Sequence, residues 1–218
     1  MQVTEKIHHA LFDLDGTLVD SSGAIQAALT HALQRLGRHC PPDFAIAKRI
    51  GMPLVDIFRD DFGIVGDPAE QAIAHYRDFY DRQAHVGTRV YDRVAETLGR
   101  LRASGIGLFV ATVKPTPIAE KVLRDMGLKR YFSGVAGSTM DHARRDKADI
   151  IRHALQRYGL EASHSVMIGD RAQDIDGARQ NGLYAVGVTY GFGTLQELNA
   201  AGPDHLIDCA SELPALLA

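Results

Sequence analysis

The chain has 218 residues, 45% of them hydrophobic and 23% charged, with a formal net charge of −3. Those proportions fit a soluble globular protein with a sizeable core and argue against a broad nucleic-acid-binding surface. Cys40 and Cys209 have neither metal-site spacing nor the density of a disulfide framework, and no HExxH pair occurs among the ten histidines. Nothing reads as a signal peptide or a membrane span, so the cytoplasm is the expected compartment.

In chain order, the first informative stretch is HALFDLDGTLVD, residues 9–20. Leu11, Phe12 and Leu14 have the apolar weight of a buried strand. Asp13 and Asp15 stand two apart, so an extended segment projects both carboxylates the same way. Gly16 and Thr17 then break the strand. Acids in such a place need a partner. Mg²⁺ suits them, because it takes hard oxygen ligands from one or two carboxylates together with phosphate and water. The bland alternative is a strand end whose acids solvate a loop.

Helical patterns follow. One spans about 21–36, with Ile25, Ala28, Leu29, Ala32, Leu33 and Leu36 on one face and Gly37 closing it. A turn at Cys40-Pro41-Pro42-Asp43 leads to a shorter helix at about 44–50, and another helix covers 54–61. Asp67-Pro68-Ala69-Glu70 has the form of a helix cap, opening a helix to about Gln83. No convincing strand interrupts this region.

Past Gly87 the texture changes to alternating strands and helices. Residues 90–103 read as a helix, and 107–111 as an apolar strand with Thr112 at its carboxyl end. A helix at 117–126, a short strand around Val135 and a helix at 145–158 come next. The strand 166–168 ends in Gly169-Asp170, followed by a helix at 171–180, a strand at 185–188, a short helix from Leu195 and an edge strand at 205–207. This is the spacing of right-handed crossover units. The expected fold is α/β: a doubly wound, mostly parallel Rossmann-like sheet from residues 1–18 and 85–218, with a helical cap inserted at 19–84.

Open parallel sheets bind ligands beyond the carboxyl ends of their strands. Three strands carry polar residues there: Asp13 with Asp15, Thr112, and Asp170. Lys147, near a helix start, can add a cation. The set holds the parts of a phosphoryl-transfer site: a carboxylate nucleophile, a metal, neutral donors and a lysine facing phosphate oxygens. Taken singly, Thr112 also reads as a buried hydroxyl bonded to backbone, and Lys147 as a solvated helix residue.

DLDGTLVDS, residues 13–21, resembles the first motif of the haloacid dehalogenase-like phosphatase superfamily. Thr112, Lys147 and GDRAQD (169–174) resemble its second, third and fourth motifs in that order. The insert position and the ATVKP and GARQNG segments resemble the phosphoglycolate phosphatase-like branch, which also contains nucleotidases and sugar-phosphate mutases. The resemblance implies that Asp13 attacks phosphorus and becomes the aspartyl-phosphate. It implies that Asp15 protonates the leaving oxygen and then activates water. Thr112 and Lys147 would hold phosphoryl oxygens, and Gly16 and Thr17 would supply backbone groups around the phosphate. Mg²⁺ would be bound by Asp13, the backbone carbonyl of Asp15, and Asp170, with Asp174 supporting its water shell.

The resemblance also implies a mobile cap whose closure excludes water from the phosphoenzyme. Lys48 and Arg49 are the candidates for the far, anionic end of a small phosphorylated metabolite; their other reading is exposed charge on a short helix. Two departures from the family pattern bear on specificity. Val113 stands where relatives often have a small polar residue, and Asp141-His142-Ala143-Arg144 replaces an Asp-Gly-x-Arg segment. Within a Mg²⁺-dependent phosphomonoesterase, 2-phosphoglycolate leads as substrate, on family likeness. A 5'-nucleotidase, a β-phosphoglucomutase-like phosphotransferase and a catalytically silent binding protein of the same fold stay open. Neither a nucleic-acid polymer nor a membrane is an expected partner.

Overall fold

The computed structural model describes residues 6–140 and 144–217. Its contacts divide the chain into a core, reaching to Asp20 and resuming at Val90, and a helical unit, Ser21–Arg89. In chain order the first elements are β1 (His9–Phe12), β2 (Val19–Asp20), α1 (Ser22–Arg35), α2 (Leu54–Phe62), α3 (Asp67–Gln83) and β3 (Arg89–Val90). Then come α4 (Val94–Ala103), β4 (Gly107–Pro115), α5 (Thr116–Asp125), β5 (Gly134–Ser138) and α6 (Lys147–Tyr158). The chain continues through β6 (Ser165–Gly169), α7 (Ala172–Gln180), β7 (Tyr184–Val188), α8 (Leu195–Ala201), β8 (His205–Ile207) and α9 (Leu213–Leu216).

Six strands form one parallel sheet in the order β5-β4-β1-β6-β7-β8. This is the parallel, Rossmann-like α/β sheet with a helical insert that the crossover spacing implies. Parallel strands are covered on both faces, so they read as apolar runs rather than alternating ones. Every residue of β6 is buried, and Leu11, Met167 and Ile168 have no exposed surface. Each such side chain contributes roughly 1.5–3 kcal/mol of apolar burial. The chain order reverses at β1, which has β4 on one side and β6 on the other. Such a reversal opens a crevice at the carboxyl ends of the flanking strands.

Two helix expectations need correction. The region 44–50 holds only a 3₁₀ turn, Ile46–Lys48. Ala45 has φ −76° and ψ 71°, and the Ile46 amide bonds the Phe44 carbonyl at 2.8 Å. That inverse γ-turn cannot seed an α-helical ladder. At 90–103 the helix begins only at Val94, because Val90 lies in β3 and Arg93 takes a left-handed φ of 63°. In α3, likewise, Gly66 occupies the cap position and Asp67 is already helical.

Within the helical unit, α1 buries Ala24, Ile25, Ala28, Leu29, Ala32 and Leu33, a stripe with helical period. His31 stacks on Phe79 of α3 at 4.7 Å. The unit's two ends meet: the Ala24 amide donates to the Gly87 carbonyl at 3.0 Å. A Cβ on Gly87 would lie 2.4 Å from the Ala24 nitrogen, so only glycine permits that approach. An insertion into an existing chain needs its ends together in this way.

Candidate active site

The parallel register assembles the site. Phe12 pairs with Val110 of β4 and with Ile168 of β6. Extending each ladder carries Asp13 to the level of Ala111 and Gly169, one residue short of Thr112 and Asp170. The Asp13 amide still donates to the Ile168 carbonyl, at 2.9 Å. Beyond Asp13 the backbone curls tightly, with the Leu14 carbonyl accepting from the amides of Leu18 and Val19, each at 3.0 Å. Gly16 makes that turn possible with φ 91°, and a Cβ there would fall 2.2 Å from Asp170 Oδ2.

Asp13, Asp170 and Asp174 offer oxygens within 4.8 Å of one another, and all three residues are buried. Lys147 heads α6, behind an Asp146 cap whose side chain accepts from the Ala148 amide at 2.8 Å. Its ammonium lies 2.9 Å from Asp13 Oδ1, 2.7 Å from Asp174 Oδ1 and 3.0 Å from the Ala111 carbonyl. The bond to the Ala111 carbonyl has hydrogen-bond geometry, and the two carboxylate contacts are ion pairs. Burial alone would lower the lysine's pKa, but the two adjacent carboxylates outweigh it and hold the ammonium charged.

Asp170 receives Thr17 Oγ1 on Oδ1 at 3.2 Å, and the amides of Phe192 and Gly193 on Oδ2 at 2.8 and 3.3 Å. These bonds do not offset its surroundings. Desolvation, with Asp174 and Asp13 nearby, pushes its pKa up to about 8. Asp174 is raised by the same burial, opposed by Lys147. Its Oδ2 accepts from the Arg171 amide at 3.1 Å, and Glu197 caps the same helix start through the Ala172 amide at 2.9 Å.

This donor set fits a divalent cation. Three buried carboxylates face one buried ammonium, so the cluster carries excess negative charge. Beyond Lys147, Asp13 Oδ1 and Asp174 Oδ1 have no partner among the described residues. All the donors are hard oxygens, the type that Mg²⁺ accepts.

The Asp15 side chain stands outside this trio. Its Oδ2 is 2.7 Å from Lys114 Nζ. Thr112 is fully buried, and its Oγ1 accepts from the Lys114 amide at 3.2 Å, which leaves its own proton available to a ligand. The register between β4 and β5 shifts between Thr112 and Pro115, a local irregularity that re-aims these side chains. Val113 packs against the hydrophobic core, which is where its apolar character belongs. In the helical unit, Lys48 is exposed, and the Arg49 guanidinium donates through Nε to Asp61 Oδ2 at 2.6 Å. Residues 141–143, including Ala143, lie outside the described residues; the Arg144 guanidinium bonds the Gly137 carbonyl at 3.2 Å.

Sequence reasoning gave no role to Lys114, Tyr190 or the Phe192-Gly193 amides. The Tyr190 hydroxyl donates to the Thr17 carbonyl at 3.1 Å, and its ring lies 5.1 Å from that of Tyr91. Cβ atoms on Gly191 and Gly193 would fall 2.3 Å from Asp170 Cβ and 1.8 Å from the Asp170 carbonyl oxygen. The glycines of Tyr190-Gly191-Phe192-Gly193 were the available signal, since closely spaced glycines mark close backbone approach.

A family model for haloacid dehalogenase-like hydrolases matches residues 10–188. The chain belongs to the haloacid dehalogenase-like hydrolases. It is 40% identical over 195 residues to a 5'-nucleotidase of Pseudomonas aeruginosa, covering 89% of this chain and 88% of that one. It is 31% identical over 247 aligned positions to the phosphoglycolate phosphatase of Escherichia coli K12, covering 99% and 95% of the two chains. It is also 36% identical over 183 residues to the tyrosine-protein kinase PtkA of Mycobacterium tuberculosis, covering 84% of this chain but 62% of that one. The solved PtkA structure superposes with a TM-score of 0.81 at 32% identity, over 98% of this chain and all of that one. The haloacid dehalogenase-like fold and the aspartate cluster support a phosphatase-type activity through an aspartyl-phosphate. Among the described residues, no helix is long and apolar enough to cross a membrane.

Proposed function

We propose that this chain is a Mg²⁺-dependent phosphomonoesterase acting on a small phosphorylated metabolite. The observation that carries the reading is the buried Asp13, Asp170 and Asp174 cluster balanced by a single lysine. Asp13, Asp170 and the Asp15 carbonyl would hold the ion, with Asp174 supporting its water shell. When bound, Mg²⁺ offsets the phosphoryl charge that would otherwise repel Asp13.

An Asp13 oxygen attacks phosphorus, and the bond from phosphorus to the leaving oxygen breaks as that oxygen takes a proton from Asp15. Water then attacks the aspartyl-phosphate and passes a proton to Asp15, releasing inorganic phosphate and the Asp13 carboxylate. Thr112 donates its hydroxyl proton to a phosphoryl oxygen, and the backbone of Gly16 and Thr17 lines the phosphate. Lys147 holds Asp13 in place and offsets its charge.

Two substrates have separate support. 2-Phosphoglycolate accords with likeness to the Escherichia coli enzyme along nearly the whole chain. Nucleoside 5'-monophosphates accord with the higher identity to the Pseudomonas nucleotidase. In the cap, the Arg49 guanidinium is committed to Asp61, whereas Lys48 is exposed and could meet an anionic group of either substrate.

Phosphate release from a panel of both substrates and a sugar phosphate, with Mg²⁺ and after chelation, tests the reading. Release that needs Mg²⁺ and a phosphoryl group trapped on Asp13 by mass spectrometry are the expected results. Label on another residue, or turnover by Asp13→Asn, overturns the mechanism. Faster transfer to a sugar phosphate than to water identifies a mutase.

A further inference from the structure

The proposed mechanism gives Asp15 two proton transfers but does not say what aims it. The Lys114 ammonium sits 2.7 Å from Asp15 Oδ2, and the two side chains are only 10% and 11% exposed. Asp15 Oδ1 is buried and has no hydrogen-bond partner among the described residues. A buried, unpaired carboxylate oxygen is costly, and a partner from outside the chain removes that cost. The carboxylate is therefore asymmetric, with one oxygen fixed by a cation and the other left for a ligand.

Lys114 is also held from behind. Its amide donates to Thr112 Oγ1 at 3.2 Å, at the point where β4 loses register with β5. A regular strand would give residues 112 and 114 a common direction and no bond between them. The irregularity instead ties the Lys114 backbone to a residue of the site.

We propose that Lys114 is a positioning residue for Asp15. By binding Oδ2 it fixes the carboxylate plane and presents Oδ1 to the leaving-group oxygen. This rests on the reading of Asp15 as acid and base. It adds a residue that acts on the protein's acid–base group and not on the phosphoryl group, and the two duties have different kinetic signatures.

A positioning role predicts a dependence on the leaving group. An alkyl phosphate needs its departing oxygen protonated, whereas 4-nitrophenyl phosphate barely does. The test measures kcat/KM for a series from 4-nitrophenyl through phenyl to alkyl phosphates, on wild type, Lys114→Met, Lys114→Arg and Asp15→Asn. Lys114→Met should lose about tenfold or more on the alkyl ester, a part of the roughly 10²–10⁴-fold that acid–base catalysis contributes, and far less on the nitrophenyl ester. Lys114→Arg keeps a cation and should recover part of the alkyl activity. Equal losses across the series overturn the proposal, because they mean a general effect on phosphate binding or on the fold. If Asp15→Asn itself shows no leaving-group dependence, the acid–base reading fails first. If Asp15→Asn shows it and Lys114→Met does not, only the positioning role fails.

Discussion

An exposed ion pair of the helical unit and the buried cluster of the core use charge in opposite ways. In the helical unit, the Arg82–Asp78 pair joins exposed side chains one helical turn apart. In the core, Asp13, Lys147, Asp170 and Asp174 are all buried, and they come from three separate places in the sequence. Exposed pairs are screened by water and gain little, whereas buried ones bear a desolvation cost that only close partners offset. A protein seeking stability alone would not bury three carboxylates against one lysine. The excess negative charge marks where chemistry, not packing, chose the residues.

The largest expected effect comes from breaking the core cluster at its cation-binding side. Asp170→Asn removes one hard anionic ligand while keeping the shape. Mg²⁺ affinity measured by titration calorimetry should weaken, and turnover should fall by orders of magnitude. Wild-type activity that survives exhaustive chelation, or a mutant that matches wild type, would contradict this contrast in the use of charge.

Lys147→Met is next. It leaves Asp13 and Asp174 buried without their counter-charge, and breaking a buried pair from one side typically costs about 3–5 kcal/mol. Thermal unfolding without divalent ions should show a large drop in Tm, and added Mg²⁺ should recover part of it by binding the same carboxylates. A midpoint close to wild type would mean that the cluster is better hydrated than its burial indicates.

The fold was legible because its signals are local. Apolar runs ending in Asp13, Thr112 and Asp170 identify parallel strands and their carboxyl ends from sequence alone. Asp146 and Gly159 bracket α6 with ordinary caps, the latter in the left-handed conformation at φ 64°. What was not legible depends on tertiary meetings. Lys114 gains its role by reaching Asp15, a residue almost a hundred positions earlier. Phe192 and Gly193 act on Asp170 through backbone amides, which carry no side-chain signature. The missing helix at 44–50 failed for the opposite reason: its apolar spacing was adequate, but a γ-turn at Ala45 took the backbone elsewhere.

A smaller effect follows from pH. The folded chain holds the Asp170 proton up to about pH 8, far above an ordinary aspartate near 4. Between those limits the native state binds more protons than the unfolded one, so this group makes stability fall as pH rises. Asp174 acts in the same direction. Lys147, raised from an already basic value, keeps its charge throughout that window. Metal-free protein should therefore lose stability from pH 5 to 8, and Mg²⁺ should bind more tightly at the upper end, where no proton has to leave. Denaturant midpoints that rise with pH in the presence of a chelator would count against a protonated Asp170.

The smallest effect is expected in the helical unit, and it is the control on all the others. Arg82 pairs with Asp78 one turn back on α3, and their side chains are 70% and 57% exposed. In that setting the Coulomb gain is weak, salt screens it, and holding two long side chains together costs entropy. Arg82→Ala should change stability by less than about 0.5 kcal/mol, an effect that shrinks further in high salt. Turnover on any substrate in the panel should stay at the wild-type value. A loss comparable to that of Lys147→Met would mean that exposed pairs in the insert do structural work, and that exposure does not separate solvated charge from functional charge in this protein.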